Sequence, residues 1–222
     1  MKKDYITPLV LQTLIWLPTK LFFKLFYNIE IKGQENIKNI KKDNGILFAS
    51  NHSSELDPII IPSSLPFLSK LMPMFYVSLR KDFYDKKKFI YGGKFFKIWG
   101  AHAVNSGKKD YAIALKKHLQ ILKDKNSLCI FPEGRRSNVF NLEMIRGGIA
   151  YLCQQTNCPI IPTYIKITDK PKRKIIVYFG KALYSKDIFR EFPQLKINEH
   201  QNDYKEAAKF LMTKIYNLDN NE

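Results

Sequence analysis

The sequence predicts an α/β fold, in which a mixed and partly parallel sheet is flanked by helices within one domain. Short apolar runs alternate along the chain with longer stretches of helical periodicity. A chain of 222 residues is long enough to bury one sizeable core. The apolar fraction of 45% is too high for a disordered basic chain, so a folded domain is expected.

An apolar segment precedes this domain. Residues 5–19 carry no charge, Lys20 ends the run, and residues 21–27 add a second apolar stretch. The run of 15 residues is shorter than the ~20 that a spanning helix needs. Bulky side chains stand where a signal peptidase would require small ones. We therefore expect residues 1–28 to form one or two helices in the membrane interface, followed by one domain over 29–222. Packing on the protein's own core and two orthodox spans are the alternatives.

The elements of the domain follow from periodicity and from turn residues. Short alternating or apolar runs predict strands at 28–33, 45–50, 72–78, 99–104, 127–131, 159–165 and 174–179. Helical spacing predicts helices at 81–96, 108–123, 143–155 and 203–217. Asp57-Pro58 predicts a further helix start, with Asp57 as its N-cap and Pro58 as its first residue.

The charge of the chain is strongly positive, since 37 Lys and Arg face 20 Asp and Glu, giving a net charge of +17. Such a charge predicts attraction to nucleic acid, to an anionic membrane or to phosphorylated small molecules. A lysine-rich composition on solvated faces is the plainer alternative. No long basic arm or zinc-finger spacing supports nucleic-acid binding. Cys129, Cys153 and Cys158 cannot all pair and show no metal-ligand spacing, so neither a disulfide framework nor a metal site is expected.

The segment Asn51-His-Ser-Ser-Glu-Leu-Asp-Pro58 carries the first candidate for chemistry. His52 follows a predicted buried strand and precedes a helix start, which places it on a loop at a strand end. If that loop curls back, the Asp57 carboxylate can bind one imidazole nitrogen and fix the tautomer. The other nitrogen could then take a proton from a hydroxyl. The alternative is a surface or core histidine whose hydrogen bonds are merely satisfied.

A second strand-end loop, Phe131-Pro-Glu-Gly-Arg-Arg-Ser137, brings a carboxylate, two guanidiniums and a hydroxyl together. Guanidinium groups match phosphate oxygens in bidentate geometry, so this loop is a candidate anion site. A tight turn with a solvated arginine pair is the alternative.

Taken together and in this order, N-H-S-S-E-L-D and F-P-E-G-R-R-S resemble the first and third motifs of the glycerolipid acyltransferase family. The type members of that family are the 1-acylglycerol-3-phosphate (lysophosphatidic acid) acyltransferases. Residues 100–106 occupy the place of the second motif and residues 158–163 that of the fourth. The resemblance extends from about residue 5 to about residue 180.

The resemblance implies transfer of a fatty acyl group from acyl-CoA or acyl-ACP to the free hydroxyl of 1-acylglycerol-3-phosphate. The product would be phosphatidic acid for phospholipid biosynthesis, made at the cytoplasmic face of the membrane. It implies His52 as catalytic base, Asp57 as the group that orients it, and no metal or organic cofactor. The partners implied are membrane phospholipids, the lysophospholipid and the acyl donor, without nucleic acid. The predicted substrate-binding residues are Asn51, Gly100, Lys108, Glu133, Gly134, Arg135, Arg136 and Ser137.

Two departures from the family pattern leave alternatives open. Ser106 stands where the second motif usually ends in Arg, although Lys108 and Lys109 follow closely. Arg135 replaces the usual Thr of the third motif and could restore a cation near the acceptor phosphate. Another lysophospholipid or an aminolipid is therefore an alternative acceptor. A non-enzymatic basic protein that binds membranes or nucleic acid would not explain the two motifs. A hydrolase that uses His52 and a serine nucleophile is expected to carry a G-x-S-x-G segment. The chain lacks this segment, which disfavours that alternative.

Overall fold

The computed structural model describes residues 3–78, 93–105, 110–137, 139–168, 173–193 and 201–219. The strands are β1 Asn28–Lys32, β2 Ile46–Ser50, β3 Met74–Ser78, β4 Ala101–Ala103, β5 Ser127–Ile130, β6 Ile160–Thr168 and β7 Lys174–Phe179. The helices are α1 Lys3–Phe26, α2 Glu35–Lys38, α3 Asp57–Ser63, α4 Gly93–Trp99, α5 Tyr111–Ala114, α6 Lys116–Lys123, α7 Gly148–Thr156, α8 Ser185–Glu191 and α9 Gln201–Tyr216. A short 3₁₀ helix covers Leu142–Met144.

The described strands form one sheet in the order β1-β7-β6-β2-β5-β3-β4. Neighbouring strands are parallel except β6 and β7, which are antiparallel. The predicted α/β fold with a mixed, partly parallel sheet is thus confirmed. β2 lies beside β5 with Ala49 opposite Ile130. Because parallel neighbours end at the same edge of a sheet, the loops that follow β2 and β5 are brought side by side.

The sheet separates two apolar cores. Successive side chains of a strand point to opposite faces, and β2 shows this directly. Ile46 and Phe48 enter one core and Leu47 and Ala49 the other, and all four are fully buried. A strand that is buried on both faces reads as a continuous apolar run, which is why β2 was predictable from the sequence.

Helix α1 packs against the domain along one side only. Tyr5 and Phe23 are buried, and Trp16 Nε1 donates to the Leu65 carbonyl at 3.1 Å. The buried amide of Gln12 donates to the carbonyls of Met74 and Trp99 at 2.7 and 2.8 Å and accepts from Met74 N at 2.8 Å. The opposite side is an exposed apolar stripe that consists of Ile6, Val10, Leu14, Leu17, Leu21 and Leu25. The helix is therefore anchored by buried polar contacts and leaves an apolar face uncovered.

Replacing Gln12 by leucine is expected to destabilise the protein by about 3 kcal/mol. The change leaves three buried backbone groups of β3 and α4 without a partner, and each unpaired group costs ~1 kcal/mol or more. Gln120→Leu is the matched control, because the Gln120 amide is exposed on α6 and bonds only the Asp124 carboxylate. Urea unfolding should separate the two variants. Equal midpoints would show that the Gln12 contacts do not hold α1 to the domain.

Several predicted elements differ in detail. The predicted helix 108–123 is two helices, α5 and α6, which meet at Leu115. The predicted helix 143–155 is the 3₁₀ turn followed by α7, since Gly147 and Gly148 have little preference for a helix interior. Most of the predicted helix 81–96 lies outside the described residues, whereas α4 occupies Gly93–Trp99. The prediction of Asp57 as N-cap is wrong, because Leu56 takes that position and the Asp57 side chain turns elsewhere.

Candidate active site

The loop after β2 leaves the sheet from a fixed point. The Asn51 amide donates to the Ile165 carbonyl at 2.9 Å and accepts from Ile165 N at 2.8 Å, which ties the end of β2 to β6. Asn51 was predicted to bind substrate, but the structure gives its buried side chain this bridging position instead. Its effect on the site is to hold the backbone from which His52 projects.

The loop then curls back and joins His52 to Asp57. His52 Nδ1 lies 2.9 Å from Asp57 Oδ2, the arrangement expected from the sequence. The same oxygen accepts from the backbone N–H groups of Ser53 and Ser54, each at 2.9 Å. Because the carboxylate oxygen that accepts from these N–H groups also acts as an acceptor toward His52, we assign the imidazole proton to Nδ1. The lone pair of Nε2 is then free. Asp57 is fully buried and the His52 side chain is 19% exposed, so the ring can reach a substrate while its partner cannot.

Phe131 and the loop after β5 form the other side of the site. The Phe131 ring stacks on the His52 imidazole at 4.2 Å between centroids, which restricts the orientation of the base. Ser137 N donates to the His52 carbonyl at 2.8 Å and joins the two loops directly. Gly134 has φ +68°, a conformation that side-chain-bearing residues rarely adopt, so the tight turn favours glycine. The two loops are therefore in direct contact.

Glu133 lies inside this loop rather than at its surface. The residue is only 3% exposed, and its Oε1 accepts a hydrogen bond from the Tyr216 hydroxyl at 2.8 Å. Burial raises the pKa of Glu133, and the hydrogen bond from Tyr216 opposes that rise. The sequence singled out Glu133 but gave no indication of Tyr216, which comes from the distant helix α9.

Three guanidinium groups surround the outer side of the loop. Arg135 is exposed and lies 3.0 Å from Met144 Sδ, and Arg136 is ion-paired with the exposed carboxylate of Glu55. The third, Arg146, was not predicted. The position of a Cβ on Gly134 would lie 3.4 Å from Arg146 Cγ, and Arg146 N donates to the Pro132 carbonyl at 2.8 Å. These exposed cations lie on or against the loop that Ser137 joins to His52, so an anionic group can bind there.

Two predicted residues are not part of this arrangement. Gly100 lies at the amino end of β4, three strands from β2, where a Cβ would come within 3.4 Å of Pro8 in α1. The structure therefore does not bring Gly100 to His52. Lys108 lies outside the described residues.

Other titratable groups are poorly suited to the same chemistry. Burial lowers the pKa of both His102 and His118 to about 4, so both rings are weak bases, and His118 is fully buried. All three cysteines are buried, and burial raises the pKa of each thiol. A thiolate nucleophile is therefore disfavoured. Within the described residues no three His, Cys, Asp or Glu side chains cluster so as to hold a metal ion.

The site as a whole combines an oriented base with an adjoining cluster of cations. Nε2 of His52 can take a proton from a hydroxyl that is carried on a molecule with an anionic group. The buried Asp57 can stabilise the imidazolium that results.

Comparison with known proteins identifies the family of this chain. The model of the family described as Acyltransferase matches residues 28–166. A 1-acyl-sn-glycerol-3-phosphate acyltransferase of Saccharomyces cerevisiae is 30% identical over 162 residues, which are 69% of this chain and 49% of the yeast protein. A probable 1-acyl-sn-glycerol-3-phosphate acyltransferase of Mycoplasma pneumoniae is 25% identical over 158 residues, covering 67% of this chain and 57% of that protein. The chain thus spans about half the length of these curated relatives.

A solved structure shows the same fold. The crystal structure of the 1-acyl-sn-glycerophosphate (LPA) acyltransferase PlsC from Thermotoga maritima superposes with a TM-score of 0.59 at 16% sequence identity. The match covers 94% of this chain and 81% of that one. The family model spans more than half of this chain and contains both loops of the site. The chain belongs to the acyltransferase family.

Proposed function

We propose that this protein transfers a fatty acyl group from acyl-CoA or acyl-ACP to the free hydroxyl of 1-acylglycerol-3-phosphate, producing phosphatidic acid for phospholipid biosynthesis. The observation that carries the proposal is the oriented His52–Asp57 pair, joined through Ser137 to a loop that is rich in arginine. The curated relatives named above carry the same acceptor in their names.

The reaction needs one proton acceptor and no covalent enzyme intermediate. His52 Nε2 takes the proton of the acceptor hydroxyl while the hydroxyl oxygen attacks the thioester carbonyl carbon. The oxyanion then collapses and expels the thiolate, which takes the proton back from the imidazolium and leaves as the free thiol. Asp57 keeps the ring in the required tautomer and stabilises its transient positive charge. We propose that these steps require no metal or organic cofactor.

The cations beside the loop suit an acceptor phosphate. Arg136 would exchange the exposed carboxylate of Glu55 for the phosphate, and Arg135 and Arg146 add positive charge on the same side. A phosphate held there places the acceptor near His52, which converts a bimolecular encounter into an oriented one.

An acceptor panel tests the proposal. Purified protein is incubated with palmitoyl-CoA or palmitoyl-ACP and one lysolipid at a time, and products are identified by mass spectrometry. We expect phosphatidic acid from lysophosphatidic acid at a rate at least ~10-fold above that of any lysolipid with a larger headgroup. Preference for a headgroup-bearing lysophospholipid or an aminolipid would instead support the alternative acceptor suggested by Ser106. No transfer to any acceptor would contradict the proposed activity.

We also propose that α1 holds the protein in the surface of the membrane, on its cytoplasmic face. Of the described residues one helix, Asp4–Phe26, has the length and apolar composition that crossing a bilayer requires. The buried contacts of Gln12 and Trp16 hold α1 against the domain, which favours a helix that lies in the interface with its apolar stripe toward the lipid. Phe67 and Leu68 extend the exposed apolar surface, since Phe67 contacts Trp16 at 5.2 Å.

Binding to vesicles should depend on both apolar and charged contacts. We expect at least ~10-fold tighter binding to anionic than to zwitterionic vesicles at low salt, because Lys20 and Lys24 flank the stripe and each surface cation contributes ~1 kcal/mol. Salt at ~0.15 M should narrow this difference by shortening the Debye length to ~8 Å. Cosedimentation measures the fraction of protein bound to each vesicle type. Leu14→Glu should weaken binding to both vesicle types, and a Lys20→Gln, Lys24→Gln double variant only to the anionic type. Equal binding to both at low salt would contradict the proposal.

A further inference from the structure

The C-terminal helix contributes a side chain to the site. Tyr216 is the last residue of α9, lies 83 positions from Glu133 and falls outside the residues that the family model matches. Its hydroxyl donates to Glu133 Oε1 at 2.8 Å. Glu133 in turn belongs to the loop whose Ser137 bonds the His52 carbonyl. Helix α9 is thus in direct contact with the loop after β5.

The position of the Tyr216 hydroxyl is fixed by packing on both sides. The Tyr216 ring contacts the rings of Phe140 and Tyr164, with centroids 4.1 and 5.3 Å away. One turn further on, Asp219 is ion-paired with Lys166 at 2.7 Å and accepts from the Tyr178 hydroxyl at 3.1 Å. These contacts attach the end of α9 to β6 and β7, so little conformational entropy is lost when the hydroxyl meets Glu133.

The electrostatic surroundings of Glu133 come from three sides. His52 and Asp57 face it from the loop after β2 and from α3, Tyr216 from α9, and Tyr164 from β6. Burial raises the pKa of Glu133, the bond from Tyr216 and the charge of His52 lower it, and Asp57 raises it. Burial also raises the pKa of Tyr216, so the phenol stays protonated and keeps its role as donor.

We propose that Tyr216 is a positioning residue that holds the Glu133 carboxylate ionised and oriented beside the His52 loop during acyl transfer. The inference rests on the proposed function, because acyl transfer is the reaction that it modulates. An ionised Glu133 adds negative charge near the imidazolium that forms when His52 accepts the acceptor proton, and this lowers the energy of that state. A protonated Glu133 would carry no charge and would not stabilise the imidazolium.

Tyr216→Phe tests this directly, because it keeps the packed ring and removes only the donor. A hydrogen bond to a carboxylate favours its ionised form, so removing the bond raises the pKa of Glu133. The acid limb of the kcat/KM profile reports the protonation of His52. Because a less ionised Glu133 stabilises the imidazolium less, the limb should move to lower pH, by roughly 0.5 unit. The KM for lysophosphatidic acid should stay within about twofold of wild type.

Two controls show whether Tyr216 acts through Glu133. Tyr5→Phe removes another tyrosine hydroxyl that bonds a carboxylate, Asp124, away from α9, and should leave the limb in place. In a Glu133→Gln background, adding Tyr216→Phe should change kcat/KM by less than about twofold. Coincident limbs for wild type and Tyr216→Phe would overturn the inference, as would an equal further loss in the Glu133→Gln background.

A second measurement needs no enzymatic activity and separates this inference from the proposed function. An ionised carboxylate accepts a stronger hydrogen bond than a protonated one. The destabilisation caused by Tyr216→Phe in urea unfolding should therefore be larger at about pH 8 than at about pH 4. Destabilisation that does not change with pH would overturn the inference even if the protein proves active. A pH-dependent effect in a protein without acyl transfer would support the contact and contradict only the proposed function.

Discussion

Replacing His52 by alanine is expected to lower kcat by about 1000-fold, with the fold intact. General base catalysis contributes ~10²–10⁴ to a rate. Among the described residues His102 and His118 are poor substitutes, because burial lowers the pKa of each to about 4 and makes both weak bases. The KM for the acceptor should change little, because the cations beside the site remain. Initial rates at saturating substrates measure the effect.

The fold and the alternative chemistry need separate controls for this variant. The His52 side chain is partly exposed, so the unfolding midpoint should stay close to that of wild type. Ser53→Ala should keep activity within about threefold, because a serine nucleophile is not part of the mechanism. Loss of activity in Ser53→Ala together with retention in His52→Ala would contradict the assignment of the base.

Asp57→Asn should lower kcat by about 1000-fold as well, for a different reason. Asp57 Oδ2 accepts from His52 and from the N–H groups of Ser53 and Ser54. An asparagine that kept its oxygen in the place of Oδ2 would lack the negative charge that stabilises the imidazolium. An asparagine that turned its NH₂ group there would favour the imidazole tautomer whose proton sits on Nε2. That tautomer cannot accept a proton from the substrate, so the base is lost without removal of the ring.

A matched variant distinguishes this effect from a general loss of stability. Asp110→Asn changes an exposed carboxylate that caps α5 by accepting from Ala112 N at 2.7 Å. It should leave kcat within about twofold of wild type, because asparagine is an equally good N-cap. If Asp57→Asn proved as active as Asp110→Asn, the carboxylate would not be setting the tautomer of His52.

Much of the site was predictable because its signals are local. A buried strand followed by a polar turn marks a strand end, and the loops after β2 and β5 both carry that pattern. The curl that joins His52 to Asp57 needs only five positions of chain. What the sequence could not show is which side the Asp57 carboxylate faces. A helix cap and a histidine partner were both compatible with Asp57-Pro58, and only the loop geometry decides between them.

The remaining features depend on contacts between distant parts of the chain. The sequence predicts Asn51 to be a site residue, yet its side-chain amide forms two hydrogen bonds with the backbone of Ile165 on the neighbouring strand, 114 positions away. Tyr216 looks like an ordinary apolar position in an amphipathic helix until α9 is placed against the loop after β5. Periodicity identifies which face of a helix is buried but not which side chain contacts which partner. The contacts of Asn51 and Tyr216 could therefore not be predicted from the sequence.

Thiol release from palmitoyl-CoA tests whether the acyl group is transferred directly to lysophosphatidic acid with His52 as the base. Purified protein is added to anionic vesicles with and without lysophosphatidic acid, for wild type and for His52→Ala. We expect thiol release that requires the lysolipid, shows no burst in its absence, and falls by about 1000-fold in the variant. A burst of thiol without acceptor, or equal release by the two proteins, would contradict it.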